Sequence, residues 1–144
     1  MGLAVADEVI RVPKEIAGFE NDIPISFRSE MIPLSARLDV ERKEKDKFLA
    51  EVNTVLLGES LALTTFPGGF FLEHGLNLKV GRTIPNTFFV GYCNGRLGCF
   101  PTIQACVEGG YCAAAATQVE VGVGEHLVNR AIINLHYQAG VIRR

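Results

Sequence analysis

Between residues 48 and 66 polar and apolar positions alternate, which predicts a pair of strands. Phe48, Ala50, Val52, Thr54 and Leu56 share one side, and Leu49, Glu51, Asn53, Val55 and Leu57 the other, the two-residue period of an extended chain. Leu61 to Phe66 returns as the second strand. The connecting Leu57-Gly58-Glu59-Ser60 puts Gly58 at the first central position, as a type II′ turn requires. Thr87 to Cys93 is apolar at nearly every position and reads as a further strand buried on both faces. Met31 to Leu38 is a strand placed at a sheet edge by Pro33, which has no N–H to give to a ladder.

Elsewhere the period lengthens to that of a helix. Leu3, Ala6, Val9, Ile10 and Pro13 trace one side of a helix over residues 3–16 that Pro13 ends or kinks. Ala17 to Ile32 holds Gly18, Asn21, Asp22 and Pro24, a loop with a short extended piece at Ile25 to Phe27. Pro67-Gly68-Gly69 breaks the strand before it and opens a helix over residues 70–79, with Phe71, Leu72, Leu76 and Val80 at helical spacing. Asn94-Gly95 is a turn, and residues 101–108 form a short helix stopped by Gly109-Gly110. The firmest helix is 125–138, with a stripe of Val128, Ala131, Ile132 and Leu135 and Gly140 as its C-terminal cap. Together these elements predict one α/β domain over 1–144, a mixed sheet with covering helices after Pro67 and Gly124.

Composition narrows the function classes. Apolar residues are 48% and charged residues 21% of 144, values of a folded, water-exposed domain rather than a disordered one. A net charge of -2 with 14 basic and 16 acidic residues intermixed gives no clustered positive surface for nucleic acid. The dense run Glu41 to Lys47 alternates in sign and reads as a solvated turn. No apolar run reaches the roughly 18 residues of a membrane span. Asp7, Glu8, Arg11 and Lys14 in the first residues are unlike a signal peptide, so a cytoplasmic location is expected. Cys93, Cys99, Cys106 and Cys112 are not spaced as paired zinc ligands, and the plain reading is reduced, buried thiols.

Chemistry-bearing residues are sparse. His74, His126 and His136 stand apart without chelating spacing, and Ser26, Ser29, Ser35 and Ser60 lack a nucleophile elbow. Glu73 and Glu108 are acid/base candidates whose plain alternative is a surface helix glutamate. Gly124 before a helix could open an anion site on free N–H groups, although Glu125 in the first turn would answer the helix dipole by itself.

The order of several segments carries a resemblance. Phe66-Pro67-Gly68-Gly69-Phe70-Phe71-Leu72-Glu73-His74-Gly75-Leu76, then Val90-Gly91-Tyr92-Cys93-Asn94-Gly95, Pro101-Thr102, Glu108-Gly109-Gly110-Tyr111 and Gly122-Val123-Gly124-Glu125 follow one another along the chain. Together they resemble the closing third of the catalytic domain of the neutral (non-lysosomal) ceramidases, zinc amidohydrolases of lipids. That family holds zinc with two histidines from earlier in the domain, a glutamate after Pro-Gly and a tyrosine after Gly-Gly. By resemblance Tyr111 is the one ligand that carries over; its plain and preferred alternative is a buried tyrosine with a hydrogen-bonded hydroxyl. The glutamate position is Gly69, and the family's arginine and tyrosine after Pro-Thr are Ile103 and Cys106.

The earlier part of such a domain, with its histidines and catalytic serine, has no counterpart here. A hydrolytic zinc needs about three protein ligands and an open water position, so no catalytic residue is assigned and zinc is not expected in this chain alone. The resemblance therefore implies a detached or degenerate portion of a ceramidase-like hydrolase, inactive alone. The alternatives are a subunit completed by another chain, or an unrelated small α/β binding or scaffold protein. A homo-oligomer or a partner subunit is expected, in keeping with a mean hydropathy of +0.22 and the sheet edge a cut domain would expose.

Overall fold

The structure is a computed structural model and describes residues 2–37, 48–80 and 84–143. The charged run at 41–47 lies outside the described residues, as does the end of the expected strand at Leu38. Four strands form one mixed sheet: β1 (Ile25–Leu34), β2 (Phe48–Leu57), β3 (Leu61–Thr65) and β5 (Asn86–Val90), in the order β1-β2-β3-β5. The first three are antiparallel neighbours, and β5 lies parallel to β3. A two-stranded parallel sheet joins β4 (Gly69–Phe70) to β6 (Cys99–Phe100).

The hairpin forms where the alternation predicts it, but Leu57 pairs with Leu61, so the connection has three residues and not the two of a type II′ turn. Gly58 still takes a positive φ of 58° there, a conformation only glycine adopts freely. Residues 25–34 make one ten-residue strand where a loop and a shorter strand were expected. Its alternation is hidden in the sequence because Ser26, Arg28 and Glu30 occupy the inner face. Pro33 does sit on an edge strand. β5 corrects the expectation of a strand buried on both faces, since it is the other edge and Phe88 and Val90 are exposed.

The helices are α1 (Gly2–Arg11), α2 (Leu72–Val80), α3 (Ile103–Glu108) and α4 (Val123–Gln138), with a 3₁₀ turn at Val12–Glu15 around Pro13 and a π turn at Tyr111–Ala115. α2 starts later than predicted because Gly69 and Phe70 extend as β4 first. α4 runs one turn beyond each end of its apolar stripe, and Gly140 follows it at φ 70°, as a C-terminal cap requires.

One face of the sheet is covered. Leu127, Val128, Ala131 and Leu135 of α4 pack on β1 and β2 and share one core with Ile32 and Leu34 of β1, Ala50, Val52 and Leu56 of β2, and Ala62 of β3. Truncating one of the two leucines to alanine would cost about 2–5 kcal/mol. Toward the C-terminal half of α4 the seam turns polar. Gln138 donates to Ser26 Oγ (3.1 Å) and accepts from Thr54 Oγ1 (2.7 Å), while Arg130 and Asn134 reach Glu30. These partners explain how a polar strand side can lie under a helix. The opposite, outer face carries Ile25, Phe27, Met31, Val55, Leu63 and Phe88, and no described helix buries it.

Candidate functional site

The corner after β3 is built from backbone groups brought close by glycine. Gly69 N–H donates to Gly98 C=O (3.0 Å), Tyr92 N–H to Gly68 C=O (3.0 Å), and Leu97 N–H to Pro67 C=O (2.7 Å). A Cβ on Gly68 would stand 2.5 Å from the Phe100 ring and 2.7 Å from Gly98 C=O; on Gly91 it would meet Gly68 C=O at 2.9 Å. The chain can therefore fold on itself here only where side chains are absent. Beneath the corner lies an aromatic cluster. Phe66 stacks on Phe89 and Phe70 on Phe100, each pair with centroids 4.3 Å apart, a geometry worth about 0.5–1.5 kcal/mol beyond area burial.

Above the corner Tyr92, Arg96, Cys99, Tyr111, Cys112 and Gln118 line an open cavity of about 600 Å³. Tyr92 has a positive φ of 54°, rare for a residue with a ring. This turn swings its phenol over Gly69, and its hydroxyl fills the space a side chain on Gly69 would need. Tyr111 opens the π turn and is 79% exposed, which overturns the preferred reading of a buried tyrosine. Ala116 N–H donates to its C=O at 3.0 Å, and this bond closes the π turn that presents the phenol. The Cys99 thiol is pushed up to about 11 by burial and by the hydrogen-bonded Cys112 thiol beside it. All four cysteines are free; Cys99 is buried and the other three are half-buried, not buried as expected.

The remaining sequence candidates are not brought to this cavity. His74 is fully buried, with its ring edge on Phe70 (5.4 Å between centroids) and Nε2 against Gly124. Gly124 thus makes room for an imidazole. Glu125 does act as a cap, but for a neighbour: its Oε1 accepts from Ile103 N–H (2.8 Å) at the start of α3, where Thr102 also accepts from Ala105 N–H (3.1 Å). Glu73 and Glu108 are exposed, and Glu108 accepts a hydrogen bond from Gln104. His126 is exposed, and among the described residues no three of His, Cys, Asp and Glu converge as metal ligands do.

The ligand positions that the resemblance implies make a poor zinc donor set at this corner. Of the two positions the resemblance would use here, Tyr111 offers a phenol, whereas Gly69 offers no donor and its side-chain space holds the Tyr92 hydroxyl. What the cavity does offer is two phenols, two thiols and a guanidinium around an open hollow, a surface able to donate hydrogen bonds. Tyr92, Arg96, Cys99 and Cys112 were not singled out for it by sequence. Their signal was the trio Gly68, Gly91 and Gly98, which marks the close backbone crossing that gathers them. The chain matches no protein-family model, no curated protein and no solved structure.

Proposed function

We propose that this chain is a degenerate portion of a ceramidase-like amidohydrolase that performs no hydrolysis by itself and acts by binding a partner. The observation that carries this reading is the Tyr92 hydroxyl in the side-chain space of Gly69. Where the resemblance implies a glutamate on zinc, a phenol occupies the room a longer side chain would use. Tyr111, the one ligand position that carries over from the resemblance, cannot by itself make the three-ligand site that lowers the pKa of a bound water to about 7. The binding half of the reading is supported by the uncovered apolar face of the sheet, since large exposed apolar patches mark interaction surfaces.

The test is hydrolysis of a ceramide-like amide by the purified chain, with and without added zinc. No turnover is expected in either case. Zinc-dependent turnover that disappears in Tyr111→Phe would overturn the proposal.

A further inference from the structure

The outer sheet face and helix α1 are two apolar surfaces without a partner among the described residues. On the face, Phe27 of β1 is 64% and Phe88 of β5 is 55% exposed, with Ile25, Met31, Leu49 and Val90 around them. Together with these neighbours they leave on the order of several hundred Å² of apolar residue wet, the same order as the about 800 Å² per partner of a standard specific interface. The only charged residue that β1, β2, β3 or β5 places on that side is Glu51, and it is already held by Asn53 (3.0 Å) and Asn94 (3.2 Å). Covering the face therefore meets one carboxylate, which already accepts two amide hydrogen bonds, where each further ion would add to the cost of burying charge.

α1 is the complementary surface. Leu3, Ala6, Val9 and Ile10 form its apolar stripe, yet no residue of this helix is buried and Leu3 is 82% exposed. Its Arg11 is paired with Glu8 and Glu15 away from the stripe. A short amphipathic helix has little stability alone in water and gains it by docking its apolar side. A helix laid on a bare sheet face completes a layer, the usual way such faces are covered.

We infer that a second copy of this chain covers the outer face: two copies associate about a two-fold axis, and α1 of each lies across the sheet of the other. A second copy is favoured because this one chain supplies both surfaces, so a reciprocal exchange covers all four at once with no third component. Two-fold pairs are the commonest closed assemblies of identical subunits. The inference rests on the binding reading above and gives that reading its partner.

The experiment is light scattering of the purified chain at micromolar concentration, alone and as Phe27→Lys and Val9→Lys variants. Both positions are exposed in the single copy, so neither lysine should disturb folding, which circular dichroism verifies. The wild type should run at twice 15.7 kDa. Each lysine should weaken the dimer about a hundredfold by placing an ammonium in an apolar contact. Mixing the two variants should recover association in part, because α1 of Phe27→Lys still fits the intact sheet of Val9→Lys. A dimer indifferent to Val9→Lys, or a mixture no tighter than either variant, would overturn the exchange. A monomeric wild type that binds hydrophobic dye, and binds less of it as Phe27→Lys, would overturn the second copy while leaving the binding reading standing. A monomer that binds no dye would overturn both. Amide hydrolysis bears on the proposed function alone.

Discussion

Glu30 on the edge strand β1 and Arg130 on α4 are ion-paired across the covered face of the sheet, a hundred residues apart in sequence. Burial alone would raise the Glu30 carboxyl. Hydrogen bonds from Arg130 and from Asn134 (2.9 Å), with the charges of Arg130 and Arg28, outweigh that effect and hold it below its ordinary value of 4.5. The pair fastens an otherwise polar strand to the helix that covers the core.

That relationship sets the acid behaviour. A carboxyl depressed in the folded state adds stability that is complete above its unfolded value and is lost as pH falls through its folded value. Stability should therefore decline as the solution is acidified below about pH 4.5, and Glu30→Gln should flatten that part of the curve. At neutral pH Glu30→Ala should cost about 1–3 kcal/mol, because Arg130 and Asn134 lose a half-buried partner. Urea unfolding of both variants between acid and neutral pH measures this.

Two adjacent glycines should respond differently to the same added methyl. At Gly68 a Cβ would run into the fully buried Phe100 ring and the Gly98 carbonyl, neither of which can yield. Gly68→Ala should cost about 2–3 kcal/mol by overpacking. At Gly69 the obstacle is the far end of an exposed Tyr92 ring, which can swing into solvent. Gly69→Ala should cost about 1 kcal/mol or less, and nothing further in a Tyr92→Ala background. Equal costs at the two positions, read from denaturant midpoints, would mean the Tyr92 phenol is held more tightly than its exposure implies.

How much of this could be read from the chain depends on where the partners lie. The hairpin, α1, α3 and α4 follow from local alternation and from Gly and Pro punctuation. β1 was underestimated because the side of Ser26, Arg28 and Glu30 makes sense only beside Arg130, Asn134 and Gln138, which lie about a hundred residues away. β5 was misjudged for the converse reason: an apolar run reads as buried on both faces, and nothing local says that Phe88 is left exposed. At the site, Gly69 was legible as a missing donor, but the Tyr92 ring in its place depends on a left-handed turn at 92 and on the crossing at Gly98. Tyr111 was expected to be buried; the π turn over the alanine run at 113–116, which carries no sequence pattern of its own, presents it to solvent.

The thiol pair offers a test at alkaline pH. With the Cys99 thiol pushed up to about 11 by burial and by Cys112, it stays protonated at neutral pH. Since the thiolate is the nucleophile, Cys99 should be the slowest of the four cysteines to be carbamidomethylated at pH 8, with its rate still climbing at pH 10. The linkage has a definite sign. A thiol raised in the folded state adds stability that is complete below its unfolded value near 9 and is lost as pH rises toward about 11. Cys99→Ala should abolish that alkaline loss, at the cost of a small cavity beside Cys112. Mass spectrometry of peptides after timed alkylation, beside thermal melts from pH 8 to 11, reads both quantities. Fast modification of Cys99 at pH 8 would show that it is neither buried nor sheltered by Cys112, and the packing of β6 against the π turn would then need revision.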